Sequence, residues 1–246
     1  MTMPDILNEI DKKMAVINQL RPFEGVYLQQ INQFFKIETT FSSNAVEGNA
    51  YTLEETKMIL EDGITVGGHP LRDFYEVAGH GRAYDYMFSL INKRTITEDD
   101  VFYCHQLFSK DIPGFITPGE YRKIEVIISG SAKVLPKAAD VPQKMRQYFD
   151  WIEEDRDALH PVVFAAEAHR QLVNIHPFTD GNGRLSRLVM NTFLYQDKLI
   201  PVSIPVLRKA DYYHVLEKND VTNFCSYIAE LELQTLKNMI SFWHLE

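Results

Sequence analysis

The sequence predicts an all-α protein with one small β-hairpin. Apolar residues recur at spacings of three and four along most of the chain, which is typical of helices with one buried face. Helix-capping signals and prolines stand where several of these patterns begin. The 246 residues are 45% hydrophobic and 24% charged, so the chain is long and apolar enough to bury a sizeable core.

Three helical patterns come first along the chain. The first has apolar residues at Ile6, Ile10, Met14, Ile17 and Leu20. The second covers residues 56–60 and follows Thr52 and Glu55, whose spacing is that of a capping box. The third covers residues 74–91. Each of these segments is predicted to pack one face against the rest of the protein.

Two further patterns lie in the middle of the chain. Asp99 and Asp100 belong to the residue types that cap helices, and they precede a pattern over residues 101–108. Pro142 falls in the first turn of a pattern over residues 141–154, where a missing N–H group is tolerated. Both segments are predicted to be helices.

The last two patterns flank the segment that carries the chemistry. Pro161 suits the start of a helix over residues 162–175. Residues 185–194 are apolar on nearly every side. A helix of that kind is expected at the centre of a bundle.

Residues 124–135 are the exception to the helical pattern. Residues 124–128 are rich in β-branched types, residues 129–132 are small or polar, and an apolar pair follows. This order predicts a short hairpin. Because a lone hairpin is only marginally stable, it is expected to lean on the helices or to contact a partner.

Charge and cysteine content exclude several classes of function. The 25 Lys and Arg residues against 34 Asp and Glu residues give a net charge of −9, which argues against binding to nucleic acid or to an anionic membrane. Cys104 and Cys225 cannot form a disulfide framework, and no signal peptide or membrane span is visible. We therefore expect a cytoplasmic protein that acts on a small molecule or on another protein.

The segment from residue 176 to residue 187 combines several groups that bind or transfer phosphate. It reads His-Pro-Phe-Thr-Asp-Gly-Asn-Gly-Arg-Leu-Ser-Arg. Gly181, Asn182 and Gly183 precede the apolar helix, and the two glycines permit the positive φ angles with which backbone N–H groups converge on an anion. The start of the helix adds unpaired N–H groups and a partial positive charge.

The charged residues around this anion site fit the same interpretation. Arg184 and Arg187 share roughly one helix face, and guanidinium groups bind phosphate with paired hydrogen bonds. Asp180 suits Mg²⁺, which commonly takes one or two carboxylates. His176 can accept a proton from an attacking hydroxyl group. The segment therefore predicts a nucleotide-phosphate site with an acid–base group at its entrance.

At every defined position, this segment resembles the motif of the Fic family, His-Pro-Phe-x-Asp/Glu-Gly-Asn-Gly-Arg-x-x-Arg. The resemblance implies a Fic-type helical bundle that transfers AMP from ATP to a Ser, Thr or Tyr hydroxyl of a target protein. It implies that His176 is the general base and that Asp180 holds Mg²⁺ or Mn²⁺. Residues 181–183 would form the anion hole, and Arg184 and Arg187 would contact the phosphates.

Two further segments resemble parts of the same family. Val126, Ile127 and Ile128 lie in the hairpin, which resembles the flap that holds an extended target segment by strand addition. Tyr212 and Tyr213 resemble the tyrosines that line the adenine pocket. An amphipathic core helix explains these two tyrosines equally well.

An N-terminal segment resembles the inhibitory motif of the family. The string Ser-Asn-Ala-Val-Glu-Gly begins at Ser43. The resemblance implies that Glu47 pairs with Arg187 and takes the place of the ATP γ-phosphate. It also implies two parts of the chain, an N-terminal helical lobe over residues 1–75 and a Fic catalytic core over residues 76–246.

Several alternatives stay open. A metallohydrolase could use His160, His169, His176 and Asp180, although their spacing matches no standard ligand pattern. The chain could be a non-catalytic interaction module on a Fic-like scaffold, or a Fic enzyme with another nucleotide donor. The sequence does not choose between addition and removal of AMP, and it leaves open a homodimer and self-modification.

Overall fold

The computed structural model describes residues 1–19, 21, 25–114, 117–128, 130–131 and 133–244, and of residues 25–27 it describes the backbone alone. The described residues form ten α-helices and no β-strand, which confirms the predicted all-α class. The helices are α1 Met3–Asn18, α2 Gly25–Glu47, α3 Leu53–Lys57, α4 Leu71–Ser89, α5 Glu98–Ser109, α6 Val141–Asp155, α7 Pro161–Ile175, α8 Asn182–Gln196, α9 Lys209–Glu217 and α10 Val221–Phe242. Leu20, at the end of the first predicted pattern, lies outside the described residues.

Helix α3 begins at the predicted capping box. The Oγ1 atom of Thr52 accepts a hydrogen bond from the N–H of Glu55 at 3.2 Å, and Glu55 Oε2 accepts one from the N–H of Thr52 at 2.8 Å. The helix continues into a wider π-helical turn, Met58–Asp62. Gly63 ends it with a φ of 66°, a conformation that glycine adopts without strain.

The start of α5 differs from the prediction. The sequence points to Asp99 or Asp100 as the cap, but Thr97 caps the helix. Thr97 Oγ1 accepts from the N–H of Asp100 at 3.2 Å, and the Asp100 carboxylate accepts from the N–H of Thr97 at 2.9 Å. Asp100 lies three positions inside the helix because a reciprocal capping box needs its acid there.

The predicted β-hairpin over residues 124–135, called the flap from here on, is not shown. Ser129 and Ala132 of its turn lie outside the described residues, and the rest of the flap forms no strand. An isolated pair of strands is marginal without further packing. Ile127 and Val134 are 92% and 93% exposed, so these side chains contribute almost no buried surface to hold a paired ribbon.

One apolar core runs through the helices, from Ile6 in α1 to Ile240 in α10. Helices α7 and α8 pack against each other, and Phe164, Leu172 and Phe193 are fully buried there. Helix α10 packs on α7 and α1, α6 packs on α7, and α4 packs on α2, α5 and α8. The junction of α7 and α8, which carries the motif, is therefore surrounded by other helices.

Helix α8 is buried as its composition predicts. All residues from 184 to 194 are buried, and they include both motif arginines. No helix among the described residues is both long and apolar enough to cross a membrane. The division into residues 1–75 and 76–246 stays a prediction.

A carboxyl group is buried on α10. Glu232 is fully buried, and its Oε1 atom accepts a hydrogen bond from the N–H of Ile200 at 3.2 Å. Its Oε2 atom has no hydrogen-bond partner among the described residues. Burial raises the pKa of Glu232 to about 8, and the Ile200 hydrogen bond opposes this only in part. The carboxyl group is therefore mostly protonated at neutral pH.

We predict that Glu232→Gln removes part of the pH dependence of stability. The folded protein keeps the Glu232 proton up to about pH 8, whereas the unfolded chain loses it near the ordinary value of 4.5. The contribution of Glu232 to the free energy of unfolding is therefore full below that value and is lost as the pH rises towards 8. Between about pH 5 and about pH 9, the Tm of the parent should fall by roughly 5–10 °C more than that of the variant.

Glu230→Gln is the matched control for this experiment, because the Glu230 side chain lies on the same helix and is 53% exposed. It should leave the pH dependence of Tm at the parent level. An equal fall in Tm for the parent and the Glu232 variant would contradict the prediction.

Candidate functional site

The motif begins where α7 ends. His176 has a left-handed backbone with a φ of 53°, and its N–H donates to the Leu172 carbonyl at 3.1 Å. Gly181 has a φ of 80° and precedes the first residue of α8. A β-carbon on Gly181 would lie 2.8 Å from a carbon of the Phe108 ring, so this position accommodates only glycine. These two turns direct the start of α8 towards the cavity that the motif loop, the flap and α9 enclose.

The side chain of Asn182 closes the loop. Its Oδ1 atom accepts from the N–H of Phe178 at 2.9 Å, and its Nδ2 atom donates to the Phe178 carbonyl at 2.8 Å. Phe178 is fully buried and stacks on His105, with 3.8 Å between the ring centroids. The amide group of Asn182 is therefore engaged within the loop, and only its backbone is free to face an anion.

His105 on α5 fixes the same loop. Its Nδ1 atom accepts a hydrogen bond from the N–H of Gly119 at 2.9 Å, so the ring proton lies on Nε2, which donates to the Asp180 carbonyl at 3.1 Å. Burial lowers the pKa of His105 to about 4, so the ring is neutral at pH 7. The sequence reasoning misses this residue, because one histidine within an ordinary helix carries no signal in its spacing.

His176 presents a proton acceptor to the cavity. Its Nδ1 atom lies 3.3 Å from the Val173 carbonyl, and an N–H at Nδ1 donates to that oxygen. This tautomer leaves the lone pair on Nε2. Burial lowers the pKa of His176 below its ordinary value, so the ring is neutral at pH 7.

Arg122 attaches the flap to the motif. Its Nε atom donates to the His176 carbonyl at 2.9 Å, Nη1 donates to the Ile124 carbonyl at 3.1 Å, and Nη2 donates to the Pro136 carbonyl. Its own N–H donates to the Pro177 carbonyl at 2.9 Å. One buried guanidinium thus binds the residues at both ends of the flap and the peptide of His176. Nη1 also lies 3.5 Å from Oε2 of Glu125. The sequence does not reveal this role, because the hydrogen bonds of the Arg122 side chain all go to backbone carbonyls.

A carboxylate occupies the anion site that the sequence predicts. Glu47, the last residue of α2, places its Oε1 atom 2.7 Å from Nη2 of Arg187. A β-carbon on Gly183 would lie 2.5 Å from the same oxygen, so the carboxylate lies directly on the backbone of the first turn of α8. We call Gly183 and Arg187 together the anion cradle. The predicted pair of Glu47 and Arg187 is present, and its inhibitory role stays a prediction.

Arg187 is bound from several sides. Its Nε donates to Ser43 Oγ and its Nη2 to the Ser43 carbonyl, both at 2.9 Å, while Nη1 donates to the Tyr212 hydroxyl at 3.2 Å. Burial alone would raise the pKa of Glu47, but the guanidinium groups of Arg187 and Arg184 outweigh it and hold that pKa below its ordinary value. The cradle therefore holds an ionised carboxylate at neutral pH.

Arg184 lies behind the cradle and is neutralised by another element. Its Nη1 atom is 3.0 Å from Oε2 of Glu76 on α4 and 3.4 Å from Oδ1 of Asn44 on α2. Its guanidinium carbon lies 4.5 Å from the centre of the Phe108 ring. Glu76 is buried, and sequence reasoning misses it because it lies far from the motif along the chain.

Asp180 is held by two arginines. Arg72 Nη2 donates to Oδ2 at 2.7 Å, and Arg184 Nη2 lies 3.5 Å from Oδ1, which also accepts from the N–H of Gly181 at 2.6 Å. In the described part of the chain, no three His, Cys, Asp or Glu side chains are grouped to hold a metal by themselves. A single carboxylate beside an anion cradle still fits Mg²⁺ or Mn²⁺, because substrate phosphates and water commonly complete such a site.

The motif loop, the flap and α9 enclose one cavity of about 820 Å³, a size typical of small-molecule sites. Ile127 and Ile128 line it from the flap, and the half-buried Tyr213 lines it from α9. Tyr212 is 1% exposed, and its hydroxyl lies 2.9 Å from Nε2 of His169. Both tyrosines are in the cavity wall, but the near-complete burial of Tyr212 fits the core alternative. The adenine contact of either residue stays a prediction.

The residues of the metallohydrolase alternative do not converge. His160 pairs with Asp11 at 3.2 Å, while His169 is buried beside Tyr212. Within the ranges that the structure describes, these histidines form no metal group with His176.

Residues 83–194 match the profile of the Fic/DOC family. The chain is 37% identical over 240 residues to the protein adenylyltransferase Fic of Drosophila grimshawi, and 34% identical over 238 residues to that of Drosophila willistoni. These alignments cover 94% of this chain and 46% of each relative. The chain therefore spans about half the length of the curated relatives it matches.

Two solved structures share the fold. A Fic domain-containing signalling protein from Bacteroides thetaiotaomicron is 25% identical, with a TM-score of 0.85 and coverage of 93% of this chain and 95% of that one. Fic-1 from C. elegans is 27% identical, with a TM-score of 0.86 and coverage of 98% and 72%. Together with the match of residues 83–194, which includes the whole motif, these likenesses show that the chain carries a Fic/DOC family domain.

Proposed function

We propose that this chain is a protein adenylyltransferase, which transfers the AMP group of ATP to a Ser, Thr or Tyr hydroxyl of a target protein. One observation carries the proposal: the carboxylate of Glu47 lies on the backbone of Gly183 and pairs with Arg187. A site that holds a carboxylate in this way offers a phosphate the same helix start and guanidinium. The relatives named as adenylyltransferases support AMP as the group transferred.

ATP binding in this proposal requires that a phosphate replace Glu47. The backbone of residues 181–183 and the start of α8 would face the phosphates, and Arg187 would exchange its carboxylate partner for a phosphate oxygen. Arg184 stays paired with Glu76 and would attract the phosphates electrostatically from behind the cradle. A phosphate carries more charge than a carboxylate, so the exchange is feasible at cellular ATP concentrations.

His176 is the proposed general base. Its Nε2 atom accepts the proton of the target hydroxyl while the hydroxyl oxygen forms a bond to the α-phosphorus. The bond from that phosphorus to the oxygen shared with the β-phosphate breaks, and pyrophosphate leaves. The lowered pKa of His176 supports this role, because a neutral ring is the form that accepts a proton.

Asp180 is the residue that would hold Mg²⁺ or Mn²⁺, which would neutralise part of the charge on the ATP phosphates. Tyr213 is the better placed of the two tyrosines to contact the adenine ring, since it is half-buried at the cavity wall whereas Tyr212 is 1% exposed. Tyr212 would act indirectly, through its hydrogen bond to Arg187.

The flap is the proposed site for the target segment. Ile127 is 92% exposed at the edge of the cavity, and Val126 and Ile128 are half-buried. The described residues of the flap form no strand, and an exposed apolar side chain on such a segment suits an extended peptide. Arg122 would keep the flap at a fixed distance from His176, because it binds the residues at both flap ends and the His176 carbonyl.

Glu47 is the proposed inhibitory residue, and Ser43 supports it by orienting Arg187. The lobe of residues 1–75 would thus regulate the core of residues 76–246. The two cysteines are free and buried, which supports the proposed cytoplasmic location. Self-modification and a homodimer stay predictions, as does removal of AMP.

We predict that Glu47→Gly activates the protein. The substitution removes a charge-assisted hydrogen bond from the cradle, and such bonds contribute about 1.5–3 kcal/mol, so labelling should rise roughly tenfold to a hundredfold. The measurement is incorporation of label from α-labelled ATP into the protein itself and into a lysate, followed by mass spectrometry of the labelled bands.

Two controls separate loss of charge from loss of helix. Glu47→Ala keeps a good helix former at the end of α2 and should activate to a similar extent. Glu54→Gly, an exposed glutamate in the first turn of α3, should leave labelling at the parent level. Unchanged labelling in both Glu47 variants would refute the inhibitory role.

We predict that His176→Ala, made in the Glu47→Gly background, abolishes transfer without abolishing nucleotide binding. Loss of a general base costs about a hundredfold to ten-thousandfold in rate. Calorimetry with a non-hydrolysable ATP analogue should show retained affinity, because the cradle is intact. His214→Ala is the control, since His214 lines the same cavity and is exposed; it should keep most of the activity. If the double variant transferred AMP as fast as Glu47→Gly alone, His176 would be excluded as the base.

A further inference from the structure

Arg72 makes the shortest ion pair to the proposed metal ligand. It lies in the first turn of α4, and its Nη2 atom is 2.7 Å from Oδ2 of Asp180. Its Nε atom is 3.0 Å from Oε1 of Glu76. The guanidinium therefore bridges one carboxylate beneath it and one at the entrance of the cavity.

The two carboxylates differ in exposure, and this difference shows which contact is the anchor. The Glu76 side chain is 8% exposed, and it also binds Arg184 at 3.0 Å and Asn49 at 3.3 Å. The Asp180 side chain is 45% exposed, and that of Arg72 is 46% exposed. Hydrogen bonding to Glu76 raises the pKa of Arg72, so the guanidinium is permanently charged. Arg72 is thus held at Nε by a buried anion and reaches Asp180 with its outer end.

The position of Arg72 on Asp180 is the one that a cation would need. Oδ1 of Asp180 accepts from the N–H of Gly181 at 2.6 Å and lies 3.5 Å from Nη2 of Arg184, so Oδ2 is the less crowded oxygen. Arg72 takes that oxygen. A divalent cation at the same carboxylate would lie beside this guanidinium, and the two positive charges would repel each other, so each weakens the binding of the other.

The structure offers Arg72 a place to move. A polar cavity of about 270 Å³ borders its side chain, with Asp73 and Glu47 also in the wall. An ion pair between two half-exposed side chains is weak, so a doubly charged ion can displace it. The bond from Nε to Glu76 can persist while the outer nitrogens turn into this polar cavity.

We propose that Arg72 is a positioning residue that competes with the divalent cation for Asp180. Arg72 holds the carboxylate in place before the metal arrives and lowers the affinity of the site for the metal. The inference rests on the proposed function, because it takes Asp180 as the metal ligand.

The test is a titration of Mn²⁺ alone into the full chain, followed by NMR. Bound Mn²⁺ broadens nearby resonances, and the amide of Gly181 reports on the site because its N–H donates to Asp180. We expect Arg72→Gln to lower the Mn²⁺ concentration that halves the Gly181 signal by roughly twofold to fivefold, in line with removal of a weak competing ion pair. Arg82→Gln is the control, because Arg82 lies on the same helix as Arg72 and also pairs with an aspartate, Asp111. It should leave the Mn²⁺ midpoint unchanged.

Asp180→Asn distinguishes failure of this inference from failure of the proposed metal ligand. Loss of Gly181 broadening in Asp180→Asn, with a lowered midpoint in Arg72→Gln, is the expected result. The same loss in Asp180→Asn with an unchanged or raised midpoint in Arg72→Gln would overturn the inference alone. Undiminished broadening in Asp180→Asn would overturn both the metal ligand and the inference. The fingerprint spectrum of each variant shows whether it is folded, so a folding defect is not mistaken for a change in binding.

Discussion

The interaction on which the rest of the site depends is the contact between the last turn of α2 and the first turn of α8. Arg184 and Arg187 are buried there, and buried charges persist in a fold only when they are paired and hydrogen-bonded. Glu76 on α4 supplies the anion for Arg184, and Glu47 on α2 supplies it for Arg187. Helices α2 and α4 are therefore part of the electrostatics of the motif. Without an anion from α2 or from a ligand, Arg187 would be an uncompensated buried cation in α8.

The second constraint is steric, and it explains why one glycine stands just before α8 and another in its first turn. A β-carbon at Gly181 would enter the Phe108 ring, while one at Gly183 would enter the space of the Glu47 carboxylate. The first glycine lets the loop pack on α5, and the second lets an anion reach the backbone. Asn182 between them closes the loop on Phe178, so the open first turn of α8 is held by fixed partners and does not depend on the ligand.

The sequence predicts those parts of the structure whose determinants are local. Helices α1 and α3 to α8 follow from apolar spacing and capping signals, and the anion cradle follows from a contiguous motif next to a helix start. The predicted cap of α5 is wrong because Thr97 and Asp100 cap the helix jointly. An acidic residue can occupy either the cap or the third position of a helix, so Asp100 alone does not fix where the helix begins. Arg122, His105 and Glu76 are missed for another reason, because each contacts the motif through a backbone carbonyl or through a residue distant along the chain. Only the fold brings such contacts together, and no periodicity records them.

In the proposed site, side chains of the protein occupy the positions where a nucleotide phosphate and a metal ion would bind. Glu47 fills the anion cradle, and Arg72 occupies Asp180 as a cation would. Glu47 and Arg72 lie at the two ends of the segment that joins α2 to α4, since α2 ends at Glu47 and α4 begins at Leu71. Asn49, within this connection, donates to the Asp73 carbonyl and to the Glu76 carboxylate that anchors Arg72. One short segment of chain therefore connects the carboxylate in the anion site to the anchor of the guanidinium on Asp180, while α8 lies in the core.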